Sequence, residues 1–342
     1  MNNLIRKHTH RFSIYVVICL LLLFVVAFIS VNTGYMNISI LSFLHTLLGN
    51  GSPDNALTIF SFRLPRICMA ILAGFGIAVS GAILQSISKN PLADPGILGI
   101  NAGAGFAIVL YTFFIQGLFF SNGWMSIFFM PIIALIGALV AACIIYLLAY
   151  KRGQMSPSRM LLVGVGINAA FSAGITIFQL RMEPIDFTRT LVWLSGSIWG
   201  STWTFVLTLL PWIVVLIPFA YYKARVLDIL ALNEMTAIGV GIDVTKERKR
   251  LLVLAVVLAG VCVAVGGGLT FLGLIAPHIA KKLVGNLHYR VIPFSALIGA
   301  LLLLMSDTIS RIIIAPAELP VGIVLAILGA PYFIYLLLKT RG

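Results

Sequence analysis

Arg63 and Arg66 stand three residues apart in Arg63-Leu64-Pro65-Arg66, and a further arginine, Arg311, closes a late apolar run. A guanidinium pairs with a carboxylate through two parallel N–H donors, so such a cluster offers an acidic partner geometric specificity as well as charge. Residues at i and i+3 share one face of a helix, with Pro65 suited to its first turn. A cation at a helix N-terminus opposes the macrodipole, so something beyond the helix must favour these two. Snorkelling toward an interface is the competing account. Other ionisable groups inside the apolar runs are few. Asp307 precedes Arg311 by four residues, the spacing of a helical ion pair, and His278 reads as a packing histidine rather than a proton relay. Cys19, Cys68, Cys143 and Cys262 lie in apolar runs without metal-ligand spacing and read as small buried thiols, so no metal site is expected. The chain has no His-Glu-x-x-His, no Gly-x-Ser-x-Gly and no Gly-Lys dipeptide, which argues against a membrane enzyme and against a phosphate-cradling loop. No cofactor is expected on this chain, and without a phosphate-cradling loop any nucleotide would have to be bound by another chain.

The elements that must position these groups are membrane helices. Charged residues make up 10% of the 342-residue chain and hydrophobic ones 61%, whereas a soluble domain carries about 25% charged residues. Apolar runs at 13–31, 66–87, 96–116, 126–150, 158–179, 200–221, 250–270, 291–312 and 320–338 approach the ~20 residues that a spanning helix needs. The first, preceded by Arg6, Lys7 and Arg11, reads as a retained helix because no small-residue cleavage pattern follows Ser30. A tenth run, 274–284, is too short to cross alone. It follows Gly266, Gly267 and Gly268 and contains Pro277, so it reads as a half-helix after a break that could act in gating; such backbone is tolerated only inside the bundle or beside a cavity.

The net charge of +13 does not point to nucleic acid once it is placed on this topology. With the N-terminus inside and ten crossings, 18 of the 23 Lys and Arg fall on inner segments, as the positive-inside rule requires, and both termini are cytoplasmic.

Residues 72–99 and 258–285 align with eight identities in 28 positions, among them Gly74 with Gly260, Gly81 with Gly267 and Pro91 with Pro277. On this topology the two copies run in opposite directions, as in the inverted repeats of transporters. Each carries small residues every fourth position (Ala70, Gly74, Ala78, Ala82; Gly260, Ala264, Gly268), which permits close helix packing. The expected fold is therefore an all-α polytopic membrane protein of about ten transmembrane helices, with an inverted repeat and a short broken helix. Residues 1–342 form a single transmembrane domain in this reading, and 66–116 and 250–312 contain the repeat-related helices.

Two connecting segments carry further signals. Asn90, Pro91, Asp94 and Pro95 build a structural turn, in which Asp94 is expected to cap the following helix. The longest inner segment, 222–249, holds an apolar stripe of Leu227, Leu230, Ala231, Met235 and Ile238, with Gly239 and Gly241 placed to end it. A stripe of that length suits docking into a groove on a cytoplasmic partner.

Arg63-Leu64-Pro65-Arg66, Ser80-Gly81 with Gln85, Asn90 to Gly96 with Leu98-Gly99, Phe271-Leu272-Gly273-Leu274 with Pro277-His278, and Glu318-Leu319-Pro320 with Gly329-Ala330-Pro331 together resemble the FecCD family over essentially the whole chain. These are permeases of ATP-driven (ABC type II) importers for iron-siderophores, haem and vitamin B12. The resemblance implies a subunit in the bacterial cell membrane that pairs with a second permease chain, the same or related. It also implies two cytoplasmic ATPase subunits and an extracytoplasmic binding protein that delivers a ferric siderophore, with haem or vitamin B12 as alternative cargo. By the same resemblance, Arg63, Arg66 and Arg311 dock glutamates of the binding protein, while Leu232, Asn233, Glu234, Ala237 and Gly239 face the ATPase. Lys89 departs from the pattern, standing where the vitamin B12 importers carry an acidic residue. An ion-coupled secondary transporter is the rival from another class, and it would need ionisable groups near the membrane midplane.

Overall fold

The computed structural model describes residues 2–33, 39–115, 124–151, 154–232 and 234–339. Among these, seven helices are long and apolar enough to cross a membrane, and two shorter apolar helices, Ile100–Phe114 and Val321–Leu336, accompany them. In chain order the helices are α1 (Asn2–Asn32), α2 (Ile40–Leu47), α3 (Pro53–Ala56), α4 (Leu64–Ile87), α5 (Ile100–Phe114), α6 (Trp124–Ala149), α7 (Pro157–Gln179) and α8 (Pro184–Leu194). They continue with α9 (Trp203–Tyr222), α10 (Ala224–Ala231), α11 (Glu234–Gly239), α12 (Val244–Gly266), α13 (Leu272–Val284), α14 (His288–Ile312) and α15 (Val321–Lys339). A two-residue antiparallel pair, Tyr150–Lys151 with Gln154–Met155, joins α6 to α7.

The second span begins earlier than its apolar run indicates. Pro53–Ala56 leads into a π-helical stretch, Leu57–Arg63, that continues directly into α4. Pro65 has no N–H to give, and the widened pattern leaves the Phe60 carbonyl without a helical donor. The indole N–H of Trp203 fills that place, donating to Phe60 O at 2.7 Å. Arg63 and Arg66 consequently lie within a continuous helix rather than at its N-terminus. The helix α8 has no counterpart among the predicted spans, because eleven residues with a charged first turn give too short an apolar run to register.

The most apolar windows of Pro53–Ile87, α12 and α14 are 78%, 72% and 67% buried, against 11% for α7. The core is therefore α4, α12 and α14, and α7 lies at the periphery. Ser80 donates to Ala255 O at 2.6 Å, and a Cβ at Gly76 would meet Cys262 Sγ. The residue numbers rise in one helix as they fall in the other, so α4 and α12, the two repeat-related helices, run antiparallel. Each half also packs across to the other: α4 lies on α14 as α12 lies on α6, while α5 packs on α6 as α13 packs on α14. The small-residue stripes serve this exchange. Gly74 and Gly299 bring α4 and α14 into backbone contact, and Gly260 sits against Leu135 and Ala138 of α6.

Candidate functional site

The break expected after residue 266 is present. The helix α12 stops at Gly266, Gly267 adopts φ +69°, and α13 begins at Leu272 after Phe271 in the left-handed region. Glycine is required here because other backbone occupies the space: a Cβ at Gly267 would lie 2.1 Å from Trp193 O, and one at Gly268 2.3 Å from Leu194 O. The unwound strand is held by Ser197 N donating to Gly266 O at 3.0 Å. Pro277 is not part of the break, since it sits buried inside α13.

Beside this break lies a cavity of about 470 Å³ lined by Asp94, Asn101, Asn168, Ser172 and Thr270. The polar side chains of α7 are in it, although nothing in its apolar run singled them out. Asp94 does not cap α5, whose N-cap is Gly99. Its Oδ1 accepts from Gly96 N at 2.7 Å, closing an Asx turn within the loop. The side chain is buried, and burial pushes its carboxyl up to about 6.

At one end of α4 and α14 the structure brings together the three arginines that lie far apart in sequence. Arg66 donates to Asp307 through Nε at 2.9 Å and to Glu318 through Nη1 at 2.8 Å. Asp307 also faces Arg311 at 3.4 Å, which fulfils the i, i+4 pairing expected from spacing, and is shared with Arg66. Arg311 donates to Ser30 O and Thr33 O at 3.3 Å and to the Ser30 hydroxyl, and Arg63 donates to Val31 O. The last carbonyls of a helix have no partner within it and attract cations, so Arg63 and Arg311 cap the C-terminus of α1. This answers why arginines stand here: α1 supplies carbonyls and α14 supplies a carboxylate. All three side chains are largely buried and engaged within the chain.

At the opposite end of the same helix pair, the 222–249 segment folds as two short helices, α10 and α11, rather than one stripe. Leu227, Leu230 and Ala237 are buried against the bundle, while Leu232, Met235, Ile238 and Val240 are exposed. Ala237 thus packs the segment down, and Gly239 ends α11 ahead of Gly241 at φ +83°. Glu234 pairs with Arg248 at 3.2 Å and Lys223 with Glu247 at 2.8 Å, tying the segment to α12. Asn233 lies outside the described residues. Lys89, at φ +51°, donates to Leu232 O at 2.6 Å and so ties the turn after α4 to the end of α10.

A further constellation escaped the sequence reading because its members are separated by 142 and 60 positions. Asp228 Oδ1 accepts from His288 N at 2.8 Å and lies 2.6 Å from His288 Nδ1, while His288 Nε2 contacts the Ser86 hydroxyl. No group of three or more metal-ligating His, Cys, Asp or Glu residues occurs among the described residues.

Residues 21–339 match the FecCD transport family. The iron(3+)-hydroxamate import system permease protein FhuG of Bacillus subtilis is 50% identical over 336 residues, covering 98% of this chain and all of that one. The iron-uptake system permease protein FeuC of the same organism is 42% identical, covering 94% of this chain and 96% of that one. A solved structure described as a metal-chelate type ABC transporter in an inward-facing conformation superposes with a TM-score of 0.81 at 28% identity. It covers 94% of this chain and 97% of its own.

Proposed function

The chain belongs to the FecCD transport family, and from this we propose that it is the membrane-spanning permease of an ATP-driven importer whose cargo is a ferric siderophore of the hydroxamate class. The observation that carries the reading is the division of one helix pair into two ends. One end of α4 and α14 holds Arg63, Arg66 and Arg311, and the other seats a short two-helix segment with an exposed apolar face. The similarity to an iron(3+)-hydroxamate permease over the full length supports the cargo class. A place in the bacterial cell membrane with both termini cytoplasmic belongs to the same reading, and the excess of Lys and Arg on the inner segments supports that orientation.

The arginine end is where an extracytoplasmic binding protein docks. Glu318 acts there as an internal stand-in: it is the more exposed of the two carboxylates on Arg66, so an incoming glutamate exchanges with it while Asp307 keeps the guanidinium in place. At the other end, Leu232, Met235, Ile238 and Val240 offer the face on which a cytoplasmic ATPase bears. A second permease subunit, the same or related, covers α7, whose surface near the helix break carries half-buried Asn168 and exposed Ser172 and Thr176. Polar groups facing lipid are costly, and a facing subunit with a passage between the two removes that cost. Asp307 is taken up in ion pairs with two arginines, a structural role that weighs against an ion-coupled transporter.

The test is reconstitution with a candidate ATPase and a candidate binding protein from the same organism. ATP-dependent uptake of a radiolabelled iron(III)-hydroxamate into proteoliposomes is expected. Uptake driven by an imposed ion gradient without ATP would overturn the reading.

A further inference from the structure

We propose that Asp228, His288 and Ser86 form a hydrogen-bonded relay that passes displacement of the α10–α11 segment to the adjoining ends of α14 and α4. This rests on the importer reading and names the residues through which its coupling would act.

The three side chains belong to three elements: Asp228 to α10, His288 to the first residue of α14, and Ser86 to the last turn of α4. Asp228 takes the place of an N-cap for α14, whose own N-cap residue, Leu287, has no side-chain acceptor. Its carboxylate receives both the backbone N–H and the ring Nδ1–H of His288. A carboxylate only accepts, so Nδ1 carries a proton toward Asp228, and Nε2 makes the second hydrogen bond of the chain, with the Ser86 hydroxyl. The connectivity is that of a nucleophile triad, but Ser86 and His288 are buried between helices, so its use here is mechanical.

The rest of the contact surface explains why this link is needed. Leu227 and Leu230 bury α10 on α4 and α14, but apolar contact is non-directional and permits sliding. Ion pairs to Glu234 and Glu247 fasten the segment to α12 alone. Lys89, in the turn after α4, donates to Leu232 O and so holds only the far end of α10; Asp228 joins α10 directionally to α14 and, through the ring, to α4 itself. Those two helices run antiparallel, from Arg66 beside Asp307 to Ser86 beside His288, so a push at the relay is applied to both at the end farthest from the arginines.

Two substitutions cut the same bond from opposite sides while leaving α14 capped: Ser86→Ala, and His288→Asn, which retains an amide at the Nδ1 position. In proteoliposomes with the full complex, both should leave binding-protein-stimulated ATP hydrolysis unchanged while iron(III)-hydroxamate imported per ATP falls about fivefold, the effect of one ordinary hydrogen bond. Ser86→Thr, which keeps the hydroxyl, should restore the ratio. An unchanged ratio in both variants overturns the relay. So does a parallel loss of hydrolysis and import with loss of ATPase binding, or failure of the threonine to rescue. Absence of ATP-driven uptake in the unsubstituted complex would refute the importer reading instead.

Discussion

Arg66 donates to Asp307 at 2.9 Å across the seam between α4 and α14, and Asp307 is wholly buried. A buried carboxylate facing two guanidiniums is stable only as long as the charges compensate. Asp307→Ala leaves Arg66 and Arg311 close together without their shared counter-ion, and the expected loss of stability is about 3–5 kcal/mol. Asp307→Asn keeps the shape and hydrogen-bond acceptance and should lose less. Thermal unfolding of the detergent-solubilised protein measures both, and equal midpoints for wild type and Asp307→Ala would contradict this account.

Glu318 shares Arg66 with Asp307 but is 30% exposed. If it is the group that a docking glutamate replaces, Glu318→Gln weakens the competitor and tightens binding of the substrate-loaded binding protein. A partly exposed pair is worth up to about 1 kcal/mol, so the gain is at most about fivefold. Affinity measured on immobilised permease should rise, and a fall would mean that Glu318 itself belongs to the docking surface.

The glycines divide into those that are sterically fixed and those that are not. A Cβ at Gly81 would come 1.8 Å from Gly273 O, and one at Gly267 2.1 Å from Trp193 O at a φ of +69°. Gly81→Ala and Gly267→Ala should each force apart packed backbone, a cost of about 1–3 kcal/mol or more. Gly239→Ala meets nothing within 4 Å and should be neutral or slightly stabilising. Comparison of the three melting curves checks the contrast.

Asp94, in the turn between α4 and α5, has a carboxyl raised from 3.8 to about 6 by burial. A carboxyl with a raised folded value binds its proton more tightly when folded. The stability this contributes is complete below the unfolded value and is lost as pH rises through about 6. The magnitude is about 3 kcal/mol at most. Stability against pH should therefore decline between pH 4 and 7 more steeply in wild type than in Asp94→Asn, and parallel curves would show that Asp94 is not the titrating group.

Much of the architecture was readable because membrane helices announce themselves: a span needs a long apolar run whatever it packs against. The runs, the glycine break after Gly266 and the spacing of Asp307 and Arg311 all follow from local chemistry. Other features were not readable. The helix α8 is too short to stand out, and the early start of the second span depends on Trp203 satisfying a carbonyl from another helix. The single stripe expected over 222–249 became a buried half and an exposed half, since periodicity cannot say which apolar residue meets the bundle and which meets a partner.

The sequence by itself determined that this is a multi-pass membrane protein with antiparallel related helices and a set of arginines for which docking and snorkelling both remained as accounts. Only the tertiary structure decided what those arginines hold, because their partners are the carbonyls of α1 and the carboxylates of Asp307 and Glu318. The same is true of Ser86, Asp228 and His288, which are unremarkable in sequence and meet only when three helix ends converge. Apolar length and charge distribution are properties of a segment and its solvent, whereas a hydrogen bond to a distant residue exists only once packing has brought both groups out of water together.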